Sequence, residues 1–444
     1  MKHIVILGNG ISGITAARHI RKQSDHRITV ISGETEHFFS RTALMYIYMG
    51  HMKYEHTKPY EDFFWAKNRI ELLKAWVKEI DFAAKTLHFE DSTSLVYDTL
   101  VLAVGSATNK FGWPGQDLTG VQGLYSYQDL ESMEANTKEI NRAVIVGGGL
   151  IGIEMAEMLL SRSIPVTMLV REASYWDNVL PPEESAMINR HIRDHGVDLR
   201  LSTELDRIVA DGESNRVGSV ITKEDEEIPC QFVGLTAGVH PNIDLFRNTN
   251  LHTDRGVVIN EYLETNIPDV YAIGDCVQHS TPPPDRRTIE QIWYTGRIMG
   301  ETVARTICGS KTPYTPGVFF NSAKFFDIEY QTYGQVPAQL PEETETFYWE
   351  HPSQNICLRF NFQAGSEVVT GINAFGIRLR HEACEKWISG KKSIGYVLSH
   401  LYEAHFDPEF FVNHEQAILD AFHTQYHRQI RPGRKATFWQ KIFA

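Results

Sequence analysis

Two glycine-rich turns limit what this chain can fold into. Gly8-Asn9-Gly10-Ile11-Ser12-Gly13 and Gly147-Gly148-Gly149-Leu150-Ile151-Gly152 share the GxGxxG spacing. Each follows a short β-branched run, His3 to Leu7 or Ala143 to Val146, and each opens an apolar-periodic stretch, Ile14 to Arg21 or Leu150 to Leu160. Strand, glycine turn and helix in that order make a phosphate cradle. The first glycine permits the tight turn, the second lets the backbone approach a pyrophosphate, and the third lets the helix lie close on the strand. The anion then meets the N–H groups and positive dipole end of the helix. Two cradles imply two dinucleotides, and a chain that holds both is expected to pass electrons between them.

At 444 residues the chain exceeds one ordinary core, so roughly two to four domains are expected, and 42% apolar residues suffice to fill them. A net charge of -13 argues against a nucleic-acid binder, which needs an excess of Lys and Arg. Small anions must then be held by backbone donors. The cysteines, Cys230, Cys276, Cys308, Cys357 and Cys384, form no CxxC and no metal-type pairing with histidine. Neither a disulfide framework nor a metal site is expected, and a reducing cytoplasm fits. The run His3 to Leu7 is too short for a signal-peptide core, and no apolar run is long enough to span a bilayer. A soluble or at most peripheral protein is the expectation.

The alternation of strand and helix predicts an α/β chain: two Rossmann-like dinucleotide-binding domains followed by an α+β domain. Residues 1–112 run from the first cradle through a strand at Ile28 to Ser32 and close on Leu100-Val101-Leu102-Ala103-Val104-Gly105. Gly112-Trp113-Pro114-Gly115 is a natural break. Residues 113–231 carry the second cradle, a strand at Val166 to Val170 and a polar hairpin region ending near Cys230. Short apolar strands follow at Phe232 to Gly238 and Val270 to Gly274, then a helix expected from about Ile289 to Cys308. From Thr312 the alternating stretches Phe347 to Glu350, Ile356 to Phe362 and Val368 to Ala374 look antiparallel, which sets off 312–444 as the third domain. Its last stretch, Arg428 to Ala444, mixes Arg431, Arg434, Lys435 and Lys441 with Phe438, Trp439, Ile442 and Phe443.

Several residues stand out for chemistry. Glu34, just past the strand Ile28 to Ser32, can accept hydrogen bonds from a ribose hydroxyl, although a solvated turn glutamate or an acidic position read at Ser32 would leave the same pattern. Arg41 can fork onto a ligand oxygen or pair with a surface acid. Gly274-Asp275 ends a buried strand, where ligands meet open parallel sheets.

With GNGISG, LVLAVGS, GGGLIGIE, Gly238-Val239-His240-Pro241-Asn242 and YAIGDC in that order, the chain resembles the pyridine nucleotide-disulfide oxidoreductase superfamily over about residues 1–310. The resemblance implies FAD on the first unit, contacted by Gly8, Gly10, Ile11, Ser12, Gly13, Glu34, Arg41, Ala103, Gly105, Gly238 and the Val77 backbone. It also implies that Gly274 and Asp275 return to hold the ribitol and pyrophosphate, so that 1–112 and 232–311 form one discontinuous FAD domain. NAD(P)H would lie on Gly147, Gly149, Leu150, Ile151 and Gly152 of the 113–231 domain, with hydride passing from nicotinamide C4 to flavin N5. Glu154 matches the family's glutamate that faces both rings; otherwise it is a carboxylate favoured by the helix dipole. Arg171 and Glu172 follow the strand that selects the nucleotide, and a lone arginine beside an acid leans slightly to NADH over NADPH.

Disulfide reductases of this superfamily place a redox cysteine soon after the ribose-binding acid. Here Glu36 to Tyr46 contains none, and the first cysteine is Cys230, which excludes the usual thiol route. Phe39, Arg41 and Leu44 instead resemble the segment found in rubredoxin and ferredoxin reductases and nitrite reductase flavin domains. Tyr46 stands where those enzymes often have a lysine. Cys276 reads as packing, His351 and His381 as ordinary partly buried histidines. By resemblance the helix from about Ile289 points its N-terminus at the flavin, with Trp293 and Tyr294 either shielding the ring or packing in the core.

These readings converge on an FAD-dependent NAD(P)H oxidoreductase whose acceptor is a small iron–sulfur protein or domain, with a homodimer through the C-terminal domain as a further expectation. The basic, aromatic tail keeps open a peripheral NADH:quinone reductase. An NADH-sensing flavoprotein of the apoptosis-inducing-factor type is the third alternative.

Overall fold

The structure is a computed structural model and describes residues 1–406 and 412–433. The tail residues from Arg434 to Ala444 lie outside the described residues, so the membrane reading placed on them does too. Two compact units are present, 1–171 with 196–316, and 172–195 with 317–444.

The first unit is built on two five-stranded parallel sheets. In one, the strands run in the order Val270–Ala272, Thr99–Leu102, His3–Leu7, Arg27–Ser32, Ile70–Lys74. Its central strands are buried on both faces, as their unbroken β-branched and leucine runs require. The edge strand Val270–Ala272 arrives from far beyond the second cradle and aligns Ala272 with Leu102, next to Leu7.

In the other sheet the order is Asp198–Arg200, Val166–Leu169, Ala143–Val146, Phe232–Leu235, Val121–Gln122. Phe232–Leu235, expected to open the returning part of the FAD domain, is a member of this second sheet. All four of its residues are buried, and its neighbours on either side are Ala143–Val146 and Val121–Gln122. The boundary at 231 therefore falls one strand too early.

In the second unit the antiparallel sheet runs Phe320–Phe325, Ile328–Gly334, Val369–Phe375, Cys357–Gln363, Thr344–Glu350, covered by helices that include His381–Ser389, Ile394–Ser399 and Glu415–Tyr426. Residues 172–195, expected inside the 113–231 domain, belong here. Their helix Pro182–Asp194 presents Glu184, wholly buried, to Arg359 of the sheet, which donates from Nε to Oε1 at 2.7 Å and from Nη2 to Oε2 at 2.8 Å. A buried two-pronged pair of this kind locks the helix to that sheet, because either charge alone would be stranded without solvent. Among the described residues no helix is long and apolar enough to cross a membrane.

Candidate functional site

Both glycine turns adopt the geometry that their spacing predicts. Gly8 and Gly147 have φ of +117° and +121°, conformations that side chains rarely adopt. A Cβ at Gly8 would stand 2.1 Å from the Ala103 carbonyl oxygen, and one at Gly147 would stand 2.6 Å from that of Thr236. A Cβ at Gly13 or Gly152 would meet the carbonyl oxygen of Gly8 or Gly147, at 2.1 and 2.7 Å. The middle glycines differ: Gly10 has nothing within 4 Å of such an atom, and Gly149 only the Thr236 oxygen at 3.9 Å. First and third glycines are closed against backbone while the second faces open space, which fits a pyrophosphate on each turn. The helices Ile11–Gln23 and Leu150–Ser161 begin at Gly10 and Gly149 without a side-chain cap, so first-turn N–H groups, those of Ile11, Ser12, Leu150 and Ile151, are the donors such an anion needs.

Around the first turn the sheet order gathers residues that are distant in sequence. A Cβ at Gly274, whose φ is +79°, would stand 2.3 Å from Ser12 Oγ, so Gly274 and Asp275 do reach the first glycine helix. The Tyr125 hydroxyl donates to Asp275 Oδ2 (3.3 Å) and accepts from the Ser106 N–H (2.9 Å), and Gln291 Nε2 donates to Ser106 Oγ (2.7 Å). Burial raises the Asp275 carboxyl above the usual carboxylate range. Gly105 sits under the Tyr125 hydroxyl, 2.7 Å from where its Cβ would be.

Glu34, read as a ribose-binding acid or a turn glutamate, and Arg41, read as forking onto a ligand oxygen or pairing with an acid, hold one another. Arg41 Nη1 and Nη2 donate to Glu34 Oε1 and Oε2 at 2.8 and 2.7 Å, Oε1 also accepts from the Tyr127 N–H at 2.8 Å, and Nη1 reaches the Tyr125 carbonyl at 2.5 Å. The Arg41 guanidinium lies over the Tyr125 ring, 4.6 Å from its centroid. Burial works against the Arg41 charge, but the hydrogen bonds and charge of Glu34 outweigh it and keep the group protonated. Two lone pairs per carboxylate oxygen leave Glu34 able to accept a further bond. Val77, half-buried, opens the strand Val77–Asp81; its neighbour Trp76 lies directly over Gly33, with ring carbons within 2.1 to 2.5 Å of a would-be Cβ.

Arg162, at the C-terminal end of the second turn's helix, ties that helix to the helix Leu44–Tyr48: its Nη2 and Nε donate to the Tyr48 carbonyl at 2.5 and 3.1 Å, and its guanidinium covers the Tyr48 ring at 3.5 Å. Glu154, half-buried on that helix, has its carboxyl pushed up to about 7 by burial, with Glu157 adding to the shift. Tyr46 stacks on His51, and no cation offsets Glu154 among the described residues. Gly238 has φ of +90° and packs near Asn109, which donates to the Ala237 carbonyl at 3.2 Å and bonds His240 at 2.7 Å. Arg171 closes the first unit's leading segment and Glu172 opens the second unit's.

The helix expected from about Ile289 begins at Trp293 and runs to Ile307. The residues before it are tied down differently: Arg286 and Glu290 form a buried pair at 2.7 and 2.6 Å, and Gln291 is spent on Ser106. Trp293 is 37% exposed, which removes the core-packing alternative for it. Cys276 is wholly buried, and burial pushes its thiol up to about 12, so it is protonated and inert at neutral pH. All five cysteines are free.

Sequence reasoning did not single out Tyr125, Trp76 or Arg162, and it named Ser106 and Gln291 only as members of their segments, without the bond between them. A tyrosine or glutamine between motifs carries no spacing signal, and only strand order brings Tyr125, Ser106 and Gln291 together beside Asp275.

Two glycine turns, each between a strand of a parallel sheet and a helix, define a two-nucleotide α/β flavoprotein reductase. A family model described as pyridine nucleotide-disulphide oxidoreductase matches residues 2–300, and the chain belongs to that family. It is an FAD-dependent NAD(P)H oxidoreductase. Nitrite reductase [NAD(P)H] of Bacillus subtilis is 25% identical over 384 residues, 85% of this chain and 46% of that protein, so the chain spans less than half of that relative. The ferredoxin reductase subunit of 5,5'-dehydrodivanillate O-demethylase from Sphingobium is 30% identical over 334 residues, 74% of this chain and 81% of the relative. In fold, the chain matches the covalent putidaredoxin reductase-putidaredoxin complex with a TM-score of 0.77 at 24% identity, covering 88% of this chain and 93% of that one.

Proposed function

We propose that this chain draws hydride from NADH and delivers the electrons to a small iron–sulfur protein or domain. The observation that carries the reading is the lack of a usable thiol: no cysteine precedes Cys230, and Cys276, adjacent to Asp275, is buried and protonated. Electrons must then leave without a protein disulfide. The relative named as a ferredoxin reductase subunit supports an acceptor of that class.

The FAD would lie on the first turn, with Gly8, Gly10 and Gly13 shaping the cradle and Asp275, Tyr125 and Ser106 forming its far wall. The nicotinamide nucleotide would lie on Gly147, Gly149 and Gly152. When bound, the flavin supplies the two-electron chemistry that links hydride uptake to electron release. The chain's own part is alignment. Glu154, near half-protonation at neutral pH, offers either a hydrogen-bond donor or an acceptor beside the second turn. Arg162 ties the far end of that helix to the helix Leu44–Tyr48. The preference for NADH rests on Glu172 beside Arg171, where a 2'-phosphate would meet a carboxylate.

The test is a spectral titration of the yellow holoprotein with NADH and with NADPH, followed by reoxidation with a ferredoxin, a rubredoxin or a soluble quinone. Rapid bleaching by NADH and rapid recovery with an iron–sulfur protein is the expected result. Recovery with the quinone alone would replace this reading by the quinone reductase. Slow bleaching with a persistent reduced state and a changed oligomer would replace it by the sensor.

A further inference from the structure

The helix Pro182–Asp194 and its C-terminal residue carry His191 and His195, one turn apart and therefore on one face. The tight turn between Phe320–Phe325 and Ile328–Gly334, in the same unit, brings Asp327 to them. One ligand atom from each of the three residues lies within 4.8 Å of the others. His191 Nε2 is 2.6 Å from Asp327 Oδ1, and His195 Nε2 is 3.7 Å from the same oxygen.

The two imidazoles are oriented from behind. His195 Nδ1 lies 2.9 Å from the His191 carbonyl oxygen, which can only accept, so Nδ1 carries the proton and Nε2 the lone pair. Phe326 stacks on the His195 ring at 4.1 Å and 7° and holds its plane. His191 Nδ1 meets the Asn355 amide at 3.0 Å, and that amide turned end for end offers its oxygen to an Nδ1 proton. His191 is only 4% exposed, and its Nε2 meets Asp327 Oδ1 at 2.6 Å without the alignment of a well-formed hydrogen bond. A buried ring nitrogen this close to a carboxylate, with a second imidazole beside it, is an arrangement that one electrophile between the three groups would satisfy.

We propose that His191, His195 and Asp327 form a binding site for one divalent transition-metal ion of the zinc class, which clamps the helix Pro182–Asp194 to the hairpin turn. Two imidazole nitrogens and one carboxylate oxygen suit such an ion, and magnesium or calcium would demand more oxygen ligands. With bonds of about 2.0–2.2 Å the ligand atoms would stand roughly 3–3.5 Å from one another, so the 2.6 Å His191–Asp327 contact must open and the 3.7 Å His195–Asp327 contact close, a small adjustment for Asp327 on its exposed turn. The ion's remaining positions face solvent, since the Asp327 and His195 side chains are 76% and 33% exposed. Because the ion would bind the folded arrangement, it would stabilise this unit.

The test uses the full-length, FAD-loaded protein, stripped with a chelator and titrated with zinc chloride in a calorimeter, with thermal unfolding measured with and without zinc. One ion per chain and a raised Tm are expected. Asp327→Asn and His195→Ala alter exposed positions remote from either glycine turn in sequence. Each is expected to weaken zinc binding by about tenfold or more and to abolish the Tm shift, while the flavin spectrum and its bleaching by NADH stay unchanged. No saturable binding below millimolar zinc, or binding and a Tm shift equal to wild type in both variants, would overturn the proposal.

Discussion

The Tyr125 hydroxyl joins Asp275 to the backbone of Ser106, donating at 3.3 Å to the one and accepting at 2.9 Å from the other. Tyr125→Phe removes both bonds and leaves a buried amide without a partner. A loss of about 1–3 kcal/mol is expected, read as a lower Tm and as FAD lost on dialysis at a rate well above wild type. Unchanged flavin retention would separate this network from the cofactor.

The middle and third glycines of the second turn should respond differently to a methyl group. Gly149→Ala places its Cβ in open space, so the Tm is expected to hold while KM for NADH rises at least about tenfold, since the methyl group takes the place of the pyrophosphate. Gly152→Ala drives a Cβ to 2.7 Å from the Gly147 oxygen and should lower the Tm as well. Steady-state kinetics with melting curves distinguish the two.

Burial raises the Glu154 carboxyl from 4.5 to about 7 in the folded chain. Between those values the folded state binds the extra proton, so stability is expected to fall as pH rises through that window, with the loss complete above about 7. Glu154→Gln keeps the neutral form at all pH. It should match wild type near pH 4 and exceed it by on the order of 2 kcal/mol at pH 8, as measured by urea unfolding. A constant difference across pH would place the titration elsewhere.

Arg359 and Glu184 test the second unit. Arg359→Met strands a wholly buried carboxylate and should cost about 3–5 kcal/mol, whereas Arg359→Met with Glu184→Leu should recover much of that loss. Denaturant midpoints of the two single variants and the double variant measure the coupling.

Much of the nucleotide-binding framework is local and is written in the chain. A positive φ at Gly8, a close approach at Gly13 and a β-branched strand ahead of them are requirements on neighbouring residues, so the glycine turns, their helices and the parallel strands are legible without coordinates. The start of the last helix in the first unit is not, because Gln291 and Glu290 are drawn away by Ser106 and Arg286, and only from Trp293 is the backbone released to coil.

The membership of segments is similarly illegible. Phe232–Leu235 reads as an apolar strand from its composition, but which sheet receives it depends on which edge is open after the intervening hairpin. Helix Pro182–Asp194 has an ordinary amphipathic pattern, and its allegiance to the 317–444 unit turns on one arginine, Arg359, lying 175 residues from Glu184.

Sequence spacing thus sufficed for two glycine turns between strand and helix and for the absence of a cysteine between them, since those depend on neighbours along the chain. Tertiary structure alone decided that Glu34 and Arg41 grip each other, that Tyr125 meets Asp275 across 150 residues, and that two histidines face one aspartate. The reason is that side-chain partners are chosen by strand order and helix docking, and these are set by the burial of whole faces rather than by any short run of residues.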